Sequence, residues 1–166
     1  GDSSWFSHVM VKPGRPVQSV VVPWRNGVGH QWAYVPDLAE TMTRLLERSA
    51  ELPPFAVFHT AGHWDPDGTA LVGAIARAVG RDGLPVSRFP WPLVRLLSPV
   101  VPLFRELAEM RYLWDVPVRL DNARLKAFLG DEPHTPLDRA VRETLEGMGC
   151  LAAGGRPTPD EPGRPR

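Results

Sequence analysis

Proline divides this chain into short units. Nineteen of the 166 residues are proline, and each removes a backbone donor and fixes φ, so helices and strands must fit between them. Residues 16–22, β-branched and followed by Pro23, read as a short strand. After a polar turn at Arg25–Gly29, the run Gln31–Val35 reads as a second one. Asp37 then opens a helix as its cap, with Glu40 at the capping-box spacing and Leu38, Met42, Leu45 and Leu46 on one apolar face. Pro53-Pro54 punctuates, and Phe55–Thr60 has the composition of a buried strand. Asp65-Pro66-Asp67-Gly68 is a turn into a helix whose buried stripe is Leu71, Ile75, Ala78 and Val79, closed by Gly80.

Beyond Gly80, Pro85–Phe89 is extended. Residues 91–114 are helical but broken by proline, with Leu103, Leu107 and Met110 on the buried side. Asp121 caps a short helix carrying Leu125, Phe128 and Leu129, which stops at Gly130. Thr135-Pro136-Leu137-Asp138 combines a hydroxyl cap, a first-turn proline and an early acid, starting a helix with Leu137, Val141, Leu145 and Met148 inside. Residues 152–166 hold proline and glycine and nothing larger than alanine to bury, which predicts a disordered tail. The pattern is mixed α/β, with short strands alternating with longer helices.

Composition narrows the function. At 43% hydrophobic and 23% charged residues, the chain is globular, and 166 residues suffice for one core. Nineteen basic residues balance nineteen acidic ones, which argues against nucleic acid or an acidic membrane surface as partner. A single cysteine, Cys150, excludes an internal disulfide and a cysteine-based zinc site. There is no transmembrane run and no signal peptide at Gly1-Asp2-Ser3-Ser4, so a cytoplasmic protein is expected.

Several chemical motifs are missing. No Gly-x-Gly-x-x-Gly follows a strand, and neither a phosphate-cradling loop nor a Gly-x-Ser-x-Gly elbow is present. Neither Tyr34 nor Tyr112 has a lysine four residues on, so no tyrosine–lysine pair exists to lower a catalytic phenol's pKa. His59 and His63 are four apart, but Gly62 lies between them and no third ligand is placed, so metal binding is not expected. Asp65-x-Asp67-Gly68 opens like a calcium loop without the remainder of one. Polar and aromatic groups mix at two places, His30-Gln31-Trp32 and Arg111-Tyr112-x-Trp114, the composition of a ligand pocket or of solvated surface with packed rings.

His30-Gln31-Trp32-Ala33-Tyr34-Val35-Pro36-Asp37-Leu38-Ala39 resembles the aromatic-x-x-Val-x-Asp-Leu-Ala segment in the C-terminal part of extended short-chain dehydrogenases/reductases, the NAD-dependent epimerase/dehydratase family. Three further blocks follow in that family's order. Phe58–Gly62 resembles its strand ending in glycine, and Thr69–Gly80 its helix ending in Ala-x-x-x-Gly. Asp121–Leu125 with Leu129-Gly130 and Thr135–Asp138 resembles its Asp-x-x-(Lys/Arg)…Leu-Gly…Thr-Pro-Leu segment. Gly1-Asp2 with Trp5-Phe6 resembles the region after its central strand.

The resemblance spans residues 1–151. It implies an α/β chain that is the C-terminal, substrate-binding portion of a Rossmann-type NAD(P)-binding fold, without the N-terminal dinucleotide-binding half. The implied parent chemistry is hydride transfer at a hydroxyl or carbonyl carbon, with NAD or NADP held by the missing half. No position here matches a catalytic or cofactor-binding residue. The implied substrate contacts are His30, Gln31, Trp32, Arg111 and Trp114. His30 stands where nucleotide-sugar members carry a basic residue toward the diphosphate, and Arg111 matches a second family arginine. The expected partners are a small-molecule substrate and either a second copy of the chain or a separate Rossmann half, because the Phe55–Thr60 strand lacks a neighbour. The rival readings are a non-catalytic small-molecule-binding or regulatory protein, and a plain α/β interaction domain.

Overall fold

The computed structural model describes residues 4–151. The expected tail at 152–166 and the Gly1-Asp2 match lie outside them. One π-type turn, Phe6–Met10, leads in, with the Val11 N–H donating to the Phe6 carbonyl at 3.0 Å. The chain then forms β1 (Val20–Val22), β2 (His30–Trp32), α1 (Val35–Glu47), β3 (His63–Asp65), α2 (Ala70–Ala78) and β4 (Val86–Arg88). Five helices follow: α3 (Trp91–Leu97), α4 (Pro102–Glu109), α5 (Tyr112–Asp115), α6 (Ala123–Leu129) and α7 (Leu137–Gly147). The protein is mixed α/β and mostly helical, with its strands in two small ladders.

β1 and β4 pair in parallel, Val20 opposite Val86 and Val22 opposite Arg88. β2 and β3 pair antiparallel, His30 opposite Asp65 and Trp32 opposite His63. The core lies behind β1, where Met10, Val20, Val22 and Trp24 meet Leu71, Ala74 and Ile75 of α2 and Val141 and Leu145 of α7. Ala74 is fully buried; a small side chain there lets α2 and α7 pack closely. Of the stripes expected on these two helices, Leu71, Ile75, Val141 and Leu145 are buried, and Ala78, Val79, Leu137 and Met148 are half-buried against the same core. Among the described residues no helix is long and apolar enough to cross a membrane.

Other elements depart from expectation. The strand expected at 16–22 narrows to Val20–Val22, and the one at Gln31–Val35 becomes His30–Trp32. α1 begins two residues before Asp37, because Tyr34 is extended (φ −86°, ψ 119°) and Pro36 is tolerated in the first turn. Asp37 caps nothing in its own helix. Its carboxylate accepts from the Thr135 N–H and hydroxyl, both at 2.7 Å, so Thr135 does not cap α7 either.

Phe55–Thr60 is extended, with exposure alternating along it, but it forms no ladder. Side chains take the place of a neighbouring strand. Gln31 Nε2 donates to the Thr60 and Ala61 carbonyls, Arg124 to the Val57 carbonyl, and Glu132 accepts from the Ala61 and Gly62 N–H groups. The Val57 and Thr60 carbonyls, and the Ala61 and Gly62 N–H groups just beyond, are thereby paired without a sheet. Gly62, at φ 52°, turns the chain hard against the Trp32 carbonyl, where any Cβ would collide.

The apolar face of α1 is not buried: Met42 is 63% and Leu46 73% exposed, and only Thr41 is inside. In α4, Leu103 and Met110 point outward while Phe104, Leu107 and Ala108 are half-buried. Pro99 and Pro102 break the register, so α4 packs back on α3 with its face turned by one residue. Trp91 of α3 anchors this pair, its Nε1 donating to the Pro23 carbonyl at 2.6 Å.

Candidate functional site

Five of the six tryptophans gather into one cluster. Trp5 lies 5.0 Å from Trp114 and 6.3 Å from Trp91, and Trp24 lies 5.3 Å from Trp32. The His30 imidazole sits among them, 5.1 Å from Trp24 and 5.5 Å from Trp114. Edge-on and tilted contacts of this kind are the favourable ones for aromatic rings. β2 supplies His30 and Trp32, the approach to the π-type turn supplies Trp5, and α5 supplies Trp114.

A cavity of about 350 Å³ opens on this cluster. Trp5, Trp32 and Trp114 form its aromatic walls, and His30 and Gln31 its polar ones. Met110, Leu113, Val118 and Leu120 complete the lining and the rim. Four of the five residues singled out in the sequence, His30, Gln31, Trp32 and Trp114, therefore share one cavity. Arg111 does not line it. Its Nε lies 3.1 Å from Asp115 Oδ2 without the alignment of a hydrogen bond, and its guanidinium stands over the Trp91 ring at 5.9 Å. Asp115 also takes Arg25 at 3.3 Å, so one carboxylate is shared by two guanidinium groups.

The polar groups divide into used and unused. Gln31 is used: besides its donations to Thr60 and Ala61, its Oε1 accepts from the Leu120 N–H at 2.8 Å. It ties β2 to two loops. His30 is 5% exposed, and burial pushes its pKa down against the opposing pull of Asp65, so the ring is held neutral. Asp65 is itself occupied, accepting from the Gly68 and Leu71 N–H groups at the start of α2. His30 Nε2, Trp32 Nε1 and Trp114 Nε1 are buried without a hydrogen-bond partner among the described residues. Unpaired buried polar atoms each cost ~1–3 kcal/mol, so three in one cluster need a reason.

Trp5, Trp24 and the aliphatic rim were not singled out in the sequence. The signal for the two tryptophans was their number, six in 166 residues; of the rim, Met110 was marked only as a buried helical position, and Leu113, Val118 and Leu120 carried no signal. His59 and His63 do not act together: His63 stacks on His134 at 4.4 Å, and His59 is exposed. Among the described residues no group of three His, Cys, Asp or Glu side chains can hold a metal. A larger groove, about 600 Å³, runs past Arg81, Arg142 and Glu146 to Leu151, the last described residue. It contains none of the aromatic cluster.

No known protein family, curated protein or solved structure matches the chain.

Proposed function

We propose that this chain is the substrate-binding part of an NAD(P)-dependent epimerase/dehydratase-type protein of the extended short-chain dehydrogenase/reductase class. The observation that supports this reading is the shared cavity: His30-Gln31-Trp32 and Trp114, from segments eighty residues apart, wall one aromatic recess of ligand size. The chain's own residues bind and orient the substrate and shield it from water. The nicotinamide cofactor and the tyrosine–lysine pair that would carry hydride and proton transfer come from residues other than these 166. The exposed face of α1 and the unpaired Phe55–Thr60 segment are where such a nucleotide-binding half would pack.

The test is ligand-dependent thermal unfolding across a panel of hydroxyl and carbonyl compounds. A true ligand at a hundredfold excess over its Kd adds ~2.7 kcal/mol, or roughly 5–10 °C for a domain of this size. Trp32→Ala and Trp114→Ala remove the shift. A flat response across the panel from folded protein defeats the proposal. The neutral, aromatic lining of the cavity also fits a second reading, a non-catalytic small-molecule-binding protein. In that case affinity does not change when a nucleotide-binding half is supplied; on the first reading it rises.

A further inference from the structure

The charge in and around the cavity says what kind of molecule it admits. None of its lining residues is Asp, Glu, Lys or Arg. Arg111 is already paired with Asp115, which also holds Arg25, and Arg119, between Val118 and Leu120 of the rim, stands over the Trp64 ring at 5.3 Å. His30 is buried and neutral. Gln31 spends its carbonyl on Leu120 and its amide on the Thr60 and Ala61 carbonyls. A carboxylate or phosphate entering here loses its water and meets no charged side chain in the lining, which opposes binding.

What the cavity does offer is apolar area and neutral donors. Met110, Val118 and Leu120 at its rim are each more than two-fifths exposed, and a ligand that covers them gains hydrophobic burial. The indole N–H groups of Trp32 and Trp114 can only donate, and neither has a partner. Both nitrogens are closed to solvent, so a ligand oxygen pairs with one of them when its ring shifts on binding.

We propose that this cavity takes an uncharged, largely apolar ring-bearing molecule with an acceptor oxygen, of the ketone, quinone or lipid-alcohol kind, and rejects anionic substrates such as sugar nucleotides. The inference rests on the reading that the cavity is the ligand site. It fixes the substrate class of that site.

Equilibrium dialysis of the 166-residue chain with matched naphthalenes tests it: neutral 2-acetylnaphthalene, anionic 2-naphthoate and 2-naphthyl phosphate. The ketone binds at one equivalent, with a Kd lower by roughly tenfold or more than either anion. Val118→Arg, at an exposed rim position, weakens the ketone by roughly tenfold and strengthens the anions. Met42→Arg, on the α1 surface, changes neither. If an anion binds the wild-type cavity more tightly than the ketone, the substrate class is overturned while the site stands. If the ketone is indifferent to Val118→Arg but lost in Met42→Arg, it sits on the outer surface and the inference fails. If no probe binds protein whose tryptophan near-ultraviolet dichroism shows it folded, the site itself is refuted.

Discussion

His63 is nine-tenths buried, its Nε2 has no partner among the described residues, and its ring lies 4.4 Å from that of His134. Burial, helped by His134, pushes its pKa below the ordinary 6.5, against opposing pulls from Asp37 and Glu132. His30 is lowered for the same first reason. A group that resists protonation only when folded stabilises the fold above its unfolded pKa. That contribution is lost as pH falls from about 6.5 toward the depressed folded value, because the unfolded chain binds the proton first. Glu132 adds a separate, lower step. Burial opposes its charge, but hydrogen bonds from Ala61, Gly62 and Asn122 outweigh this and hold its pKa below 4.5. Its contribution disappears as pH falls through that lowered value. The melting temperature is therefore expected to be flat from pH 8 to 7 and to drop between pH 6.5 and 5. His63→Phe, which keeps a ring against His134, makes the upper part of the drop shallower. Identical profiles for wild type and variant would show that His63 does not titrate with folding.

At the scale of elements, what was legible in the sequence was what repeats. The periodic stripes of α2 and α7 named Leu71, Ile75, Val141 and Leu145, and all four are buried. The same periodicity marked Leu38, Met42 and Leu46 on α1, yet these residues face out, because a period identifies a face and not what covers it. The α1 cap was misread for a related reason: Asp37 and Thr135 each carry a local capping signal, but they bond to each other across 98 residues. Phe55–Thr60 has strand composition and strand-like alternation without a ladder, so its hydrogen bonds depend on Gln31, Arg124 and Glu132. Exposed apolar stripes beside an unpaired extended segment favour association. The wild-type chain is expected to sediment as oligomers at micromolar concentration. Met42→Glu with Leu46→Glu shifts it toward monomer with its helical circular dichroism unchanged, both positions being on the open face. A monodisperse wild-type monomer with a sharp, cooperative thermal transition would refute this.

For the molecule as a whole, the short strands expected from the sequence pair as two separate two-stranded ladders, one parallel and one antiparallel. Strand order in a large sheet depends on long-range pairing, and the sequence blocks here specify local segments and only imply their neighbours. The residues that line the cavity were more legible than the sheet, because aromatic and polar groups already cluster along the chain at His30–Trp32 and around Trp114. A dinucleotide site needs a glycine-rich turn between a strand and a helix N-terminus, so that backbone N–H groups can cradle the pyrophosphate. No segment of these 166 residues has that pattern. Among the described residues three glycines lie hard against a neighbour: Gly29 meets the Trp64 indole, Gly62 the Trp32 carbonyl and Gly68 the Trp24 indole, all of them protein groups. Titration of the chain with NADH and NADPH in a calorimeter is therefore expected to give no binding at micromolar concentrations. Adding a Rossmann half that carries the glycine-rich loop should restore it, and should at the same time remove the self-association attributed to α1. Micromolar affinity for either nucleotide by the chain alone would mean that it carries a cofactor site of its own, and the proposed division between a substrate half and a nucleotide half would be wrong.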